Sequence, residues 1–257
     1  MIPNELRSRL VGHLKELHLP TVRACYEEVA QQAQQESLGY EHYLLEVIEQ
    51  ECQIRQQRRT ERLLQESHVP LEKSLANLEL DRLPCKVVNQ VHTLLTGSFL
   101  SRRENVLVFG NPGSGKTHLV SALGQEMVRQ GHRVFFSHCS LLVQELLRAK
   151  QELKLVRTLK KLARYEALIL DDIGYVQQSR EEMEVLFTLL AERYERGSVM
   201  ITSNLPFSQW EVIFKDPMTT AAAIDRLVHH CIIIELNVAS YRMEQAQKAQ
   251  GETHCQQ

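Results

Sequence analysis

Glycines at 110, 113 and 115 interleave with Asn111, Pro112 and Ser114 and run into Lys116 and Thr117, directly after an apolar stretch at 106–109 and at the head of a helical pattern at 117–129. This spacing is chemistry for a polyphosphate. The glycines let successive backbone N–H groups turn inward on an anion, and the N-terminus of the following helix adds about half a positive charge. Lys116 is then expected to reach the β- and γ-phosphates, and Thr117 to hold Mg²⁺. Gly110, Asn111, Pro112, Gly113, Ser114, Gly115, Lys116, Thr117 and the adjoining His118 are the residues expected around the nucleotide. The alternative, a Gly-rich turn without a ligand, does not require the strand before it or the helix after it.

A second apolar run at 167–170 ends in Asp171 and Asp172. In a P-loop fold such a strand is expected beside the first, so that both C-terminal ends open into one crevice. Asp171 is placed to hold the Mg²⁺ hydration shell and Asp172 to orient or deprotonate the attacking water. Paired aspartates at a strand end also cap helices, which is the other reading. A third run at 199–201 leads into Thr202, Ser203 and Asn204, whose amide suits the γ-phosphate or the water. An asparagine after a strand is also ordinary turn chemistry. No Asn-Lys-x-Asp guanine reader is present, so the expected nucleotide is ATP.

These residues need a scaffold, and the pattern supplies one. Residues 106–109, 134–136, 168–170, 199–201 and 232–234 are short apolar runs separated by helical stretches, the signature of a five-stranded parallel sheet covered on both faces. Residues 4–80 instead read as helix throughout. Pro20 starts one helix, Ser37-Leu38-Gly39 breaks between two others, and a long helix is expected at 40–66 with Leu44, Leu45, Val47, Ile48, Ile54, Leu63 and Leu64 on its apolar positions. Residues 69–84 read as a connector. The expected organisation is a small all-α N-terminal domain over 1–80, an α/β ATPase domain over 81–240 and a short tail over 241–257.

Composition limits the remaining options. A hydrophobic fraction of 43 % over 257 residues supports a real core, and no apolar run approaches the length of about 20 residues that spans a bilayer, so a cytoplasmic protein is expected. The 6 cysteines are scattered without zinc spacing and are expected as free thiols, mostly buried. A formal net charge of -2 gives no global attraction for nucleic acid, which leaves that question to local clusters.

At this point the residues resemble a family. Asp171-Asp172-Ile173-Gly174-Tyr175, Arg193-Tyr194-Glu195-Arg196-Gly197-Ser198, Thr202-Ser203-Asn204-Leu205-Pro206-Phe207-Ser208-Gln209-Trp210, Asp225-Arg226-Leu227-Val228-His229-His230 and Ser240-Tyr241-Arg242 closely resemble the IstB-like transposition helper ATPases. The likeness covers nearly the whole chain and extends, more distantly, to DnaC-type helicase loaders in the initiator branch of the AAA+ ATPases. It implies a P-loop NTPase fold of AAA+ type and ATP-dependent self-assembly on DNA, with a cognate transposase as partner. It also implies Lys116 and Thr117 as Walker A ligands, Asp171 and Asp172 as the Walker B pair, Asn204 as sensor, and Arg226 as an arginine finger serving a neighbouring subunit. A cationic fork suits the charge developing on a γ-phosphate, although an Arg beside Asp225 also suits an ion pair. Arg242 falls where a second sensor would sit, but the chain after the last strand is too short for a full helical lid. Asp172 departs from the commoner Asp-Glu ending, and its shorter side chain implies slow hydrolysis.

Two basic stripes bear on DNA. On a helix through 148–164, Lys154, Arg157, Lys161 and Arg164 share one side and Leu155, Leu159 and Leu162 another; the family places its DNA-facing insertion here. Arg55, Arg58, Arg59 and Arg62 form the second stripe, with Glu51, Glu61 and Glu66 near enough to pair with them. Nothing resembles a base-reading code, so double-stranded DNA is expected to be held through phosphates without strong sequence preference. The leading expectation is a DNA-bound assembly ATPase that helps a transposase. A loader of a replicative helicase is the alternative; a metabolic P-loop kinase leaves Arg226 and the basic helix unexplained.

Overall fold

The computed structural model describes residues 4–174, 179–214, 216–238 and 240–241. The chain divides into two compact units, Met1–Arg62 and Leu63–Gln257.

The first unit contains α1 (Asn4–Glu16), α2 (Pro20–Gln35) and most of α3 (Tyr40–Ser67), as the helical pattern and Pro20 predict. Its core is small, built on Leu14, Val22, Tyr26, Val29 and Val47. Leu44, Leu45 and Ile48, expected on the apolar side of α3, are exposed, because α1 and α2 cover a stripe of α3 narrower than its apolar positions. Leu19, before α2, offers no capping side chain, and α3 supplies one. Glu51 accepts the N–H groups of Thr21 at 2.7 Å and Val22 at 3.1 Å, and the Arg55 guanidinium at 2.7 Å. Burial pushes the Glu51 carboxyl up, but Arg55 and the two helix N–H groups outweigh it and hold the carboxyl below its usual range. Glu51 therefore takes Arg55 out of the second basic stripe.

The second unit begins with the end of α3, from Leu63, and the connector follows, carrying two short 3-10 turns at Leu75–Asn77 and Leu80–Arg82. The rest is α4 (Cys85–Leu95), α5 (Ser98–Ser101), β1 (Asn105–Gly110), α6 (Lys116–Arg129), β2 (Val134–His138), α7 (Cys139–Gln151), α8 (Leu155–Leu162), β3 (Ala167–Ile173), α9 (Arg180–Arg193), β4 (Ser198–Ser203), α10 (Glu211–Phe214), α11 (Pro217–Val228) and β5 (Cys231–Leu236). All five apolar runs are strands, and they form one parallel sheet. One core, with α4 and α6, covers one face; the other, with α7, α9 and α11, covers the opposite face. Helix α6 lies so low on the sheet that a Cβ on Gly124 would stand 2.6 Å from Ile169 Cδ1.

The strand order is β2-β3-β4-β1-β5, so β3 does not lie beside β1 as expected; β4 stands between them. Fully buried parallel strands share one apolar pattern, and neighbours are told apart only by the polar groups at their ends. Here the Asn105 side chain at the start of β1 accepts the Val199 N–H of β4 at 2.9 Å, and Thr202 of β4 reaches β3. The buried Arg193 donates to Tyr165 O, Glu166 O and Ser198 O, tying together the starts of β3 and β4. Burial pulls its pKa down to about 10, which leaves it charged at neutral pH.

The single helix expected through 148–164 is two. Helix α7 ends in a Schellman cap: Lys154 N–H donates to Ala149 O at 2.7 Å and Leu153 N–H to Lys150 O at 3.1 Å, with Leu153 at φ 57°. No Gly or Pro announces that break. Among the cysteines, Cys139 is buried, Cys25 and Cys231 are half-buried, and Cys52 and Cys85 are exposed, so the expectation of mostly buried thiols is corrected; Cys255 lies outside the described residues.

Candidate functional site

The glycine-rich loop joins β1 to α6, with Gly113 at φ 80° and Gly115 at φ 92°, conformations that cost a side-chain-bearing residue about 1–2 kcal/mol. Lys116 opens the helix and is buried; its ammonium donates to Gly110 O at 2.9 Å and Asn111 O at 3.0 Å, so the loop itself holds the charge at its centre.

Asp171 and Asp172 owe their arrangement to a β-bulge. Leu170 pairs with Ile201 and Ile173 with Ser203, so the two aspartates together oppose Thr202. In a regular strand neighbouring side chains point to opposite faces. The bulge, with Asp172 at φ 59°, instead brings carboxylate oxygens of both within 4.8 Å of each other and of a His138 ring nitrogen. Thr202 locks the bulge: its hydroxyl accepts the Asp172 N–H at 2.8 Å and donates to Asp171 Oδ1 at 2.7 Å. Asp171 is 1 % exposed, whereas Asp172 faces the cavity. The other Asp171 oxygen, Oδ2, is buried without a hydrogen-bond partner among the described residues, and His138 Nδ1 stands 3.4 Å from it. A buried, orphaned carboxylate oxygen beside a phosphate loop fits the water shell of a hard cation.

A cavity of about 390 Å³ collects these groups, within the usual range for small-ligand sites. Lys116, Thr117, Asp172 and Asn204 line one side. A second part of the lining comes from the connector, through Lys73, Asn77, Leu78, Arg82 and Leu83, and from Val238 and Tyr241 after β5. None of this second part is expected from the sequence. It is held in place from behind α6: Gln125 Nε2 donates to Pro70 O at 2.7 Å and Lys73 O at 3.2 Å, and a His118 ring nitrogen lies 2.9 Å from Ser74 O. His118 thus touches the cavity but is engaged by the connector. The chain after β5 returns onto the loop, where Tyr241 N–H donates to Gly113 O at 3.0 Å and the Arg82 guanidinium stands 5.2 Å over the Tyr241 ring. Arg242 and Tyr175 lie outside the described residues.

Arg226 does not reach this cavity. Near the end of α11 it lines a separate cleft of about 280 Å³ with Arg102, Arg103 and His230. Its guanidinium stands 4.8 Å over the Phe187 ring and donates to Ala222 O; among the described residues it has no ion pair with Asp225. Asn105 anchors this end of α11 by donating to Leu227 O at 3.0 Å.

Of the four residues expected to touch DNA, Arg157 and Lys161 lie on α8 itself. Lys154 precedes it and is paired with Glu152 at 2.8 Å, and Arg164 follows it in a turn. Arg157, Lys160, Lys161 and Arg164 are exposed and have no ion-pair partner among the described residues.

Residues 12–249 match the family model described as IstB-like ATP binding protein. An insertion-sequence ATP-binding protein of Sinorhizobium fredii is 42% identical over 243 residues, 94% of this chain and 82% of that protein. The ATP-binding protein of insertion sequence IS21 from Pseudomonas aeruginosa is 39% identical over 223 residues, 87% of this chain and 84% of that protein. The solved structure of the DnaC helicase loader gives a TM-score of 0.52 at 19% identity, covering 58% of this chain and 88% of that one, a likeness of fold. A match that runs through both units and spans the loop, the paired carboxylates and Asn204 makes this chain a member of the IstB-like ATP-binding protein family, with an AAA+-type P-loop fold.

Proposed function

We propose that this protein is an ATPase whose ATP-bound copies assemble side by side on duplex DNA in the cytoplasm, without reading its sequence, and there serve the transposase of an insertion sequence. The observation that carries the reading is the separation of Arg226 from a cavity that already holds Lys116, Thr117, Asp172 and Asn204. Among the described residues the cavity also carries Lys73 and Arg82, but Arg226 lies outside it and lines a separate cleft. Assembly of copies brings the two together.

Lys116 and the loop N–H groups bind the phosphates, Asn204 and Asp172 hold and deprotonate the attacking water, and Arg226 of one copy neutralises charge at the site of the next. Mg²⁺, which would draw charge off the phosphates, is assigned to Thr117 and, through water, to Asp171. Leu78, Leu83 and Val238 line the same cavity and would take the base. The exposed cations around α8 bind the phosphates of DNA.

No helix among the described residues is long and apolar enough to cross a membrane. The relatives at 42% and 39% identity are insertion-sequence proteins, which favours a transposase over a replicative helicase as partner. The test is duplex-DNA binding against salt, with ATP and without nucleotide, followed by capture of purified transposase or replicative helicase on the assembled complex. Tight, salt-sensitive binding only with ATP, and capture of the transposase, are expected. Binding that ignores ATP overturns the assembly reading, and capture of the helicase alone overturns the choice of partner.

A further inference from the structure

Leu153 breaks two rules at once. It occupies the C′ position of the α7 cap, where glycine is usual because the left-handed conformation crowds a Cβ, and its side chain is 95 % exposed. Three residues on, Val156 is 67 % exposed on the first turn of α8. One exposed leucine is ordinary in a soluble protein, but a strained and fully exposed one beside a second apolar side chain calls for a ligand.

The surroundings indicate which. Arg157, Lys160, Lys161 and Arg164 are exposed on or just after the same short helix without ion-pair partners among the described residues, and the acidic Glu152 at the corner is already taken by Arg148 at 3.0 Å and Lys154 at 2.8 Å. Those two neighbours also hold Glu152 below its usual carboxylate range, so it stays an ion-paired anion and adds little repulsion. An apolar tip at the head of a stripe of cations is complementary to duplex DNA, whose phosphates flank grooves in which an apolar side chain can meet a thymine methyl or slip between two base pairs. It is a poor match for an apolar protein patch, which would have to bury those cations unpaired.

We propose that the α7–α8 corner is a wedge: the cations straddle the phosphates while Leu153, backed by Val156, enters the groove and unstacks a base step. This rests on the DNA-binding reading above and adds how the duplex is gripped. The Schellman cap suits the task, since its two backbone hydrogen bonds hold the tip in one conformation and little ordering remains when DNA arrives.

The experiment uses the full chain with ATP and mixed-sequence duplexes carrying 2-aminopurine at several positions, whose fluorescence rises on unstacking. Leu153→Asn keeps a residue that tolerates positive φ and so preserves the corner; Leu153→Gly relieves the cap strain and is expected to raise the melting temperature, which separates lost binding from lost folding. Both, and Val156→Ser, should abolish the fluorescence rise and weaken binding about tenfold at any one salt, with the salt slope intact. The Arg157→Gln, Lys161→Gln pair should instead flatten the slope by about 0.9 for each phosphate that is no longer neutralised, and keep the rise at low salt. Parental fluorescence and affinity in both Leu153 variants would overturn the wedge while leaving phosphate binding intact. A parental protein that binds no duplex with ATP at any salt would overturn the wedge and the DNA-binding reading together. Loss of self-association in the Leu153 variants, with DNA binding unchanged, would assign the tip to a protein interface and overturn the wedge.

Discussion

Thr202→Val keeps the shape of the side chain and removes one hydroxyl, yet that hydroxyl closes the bulge on which both aspartates depend. Thr202 is fully buried, and its Oγ accepts from Asp172 N–H at 2.8 Å and donates to Asp171 Oδ1 at 2.7 Å. Losing the bond to a buried carboxylate costs about 1.5–3 kcal/mol, and orphaning the amide about 1–3 kcal/mol more. Because the two share one partner and can relax together, about 3–4 kcal/mol is the expected total. The protein has 1 tryptophan, Trp210, fully buried in the second unit, so its fluorescence reports that unit's unfolding. With a urea dependence of about 2 kcal/mol per molar, the midpoint should fall by about 1.5–2 M. Thr202→Ser, which restores the hydroxyl, should recover most of it. ATP hydrolysis by the valine variant should drop at least about tenfold, because a bulge free to slip misplaces Asp172 by the ångström that matters. A midpoint shift below about 0.3 M together with parental hydrolysis would refute the lock.

Three further outcomes follow from the geometry. Asp172→Asn should bind ATP at near-parental affinity and lose turnover, read by nucleotide titration beside phosphate release; parental hydrolysis would remove Asp172 as the base. Arg226→Ala and Lys116→Ala subunits, each weak alone, should recover some activity when mixed, since a few interfaces then pair an intact loop with an intact finger; no rescue between folded, assembling variants would confine Arg226 to its own chain. Glu51 has a folded pKa below its unfolded one, so its stabilisation is complete above the unfolded value and disappears as pH falls through the folded one. Glu51→Gln should therefore destabilise the N-terminal helices at neutral pH and flatten their loss of helicity on acidification, followed by circular dichroism.

The parts of this protein that were legible in the sequence are those whose chemistry is contiguous. The loop from Gly110 to Thr117, the Asp171-Asp172 pair and Asn204 each declare themselves within a few residues, and each lines or abuts the same cavity. Strand order was not legible, because the bonds that seat β4 between β1 and β3 join residues 94 and 31 apart in the chain. The second part of the cavity lining was hidden for the same reason: Gln125 grips Pro70 across 55 residues, and no local pattern marks a connector as part of a site. The corner at Leu153 hid differently, since a leucine in a helical pattern reads as helix and only the backbone hydrogen bonds show that the helix has ended. On α3, periodicity located the helix correctly but overstated its buried side.

The two parts of the nucleotide cavity lining differ in what they offer an inhibitor. On the loop side the proposed phosphate ligands are largely main-chain N–H groups, a surface that P-loop proteins share and that a small molecule cannot use to tell one from another. The rest of the lining includes side chains from outside the loop, with Leu78 and Leu83 from the connector and Arg82 stacked on Tyr241 from the returning chain. Compounds anchored there would owe their affinity to residues outside the phosphate loop. The connector, which the sequence does not mark as part of the cavity, is where selectivity against this protein would be found.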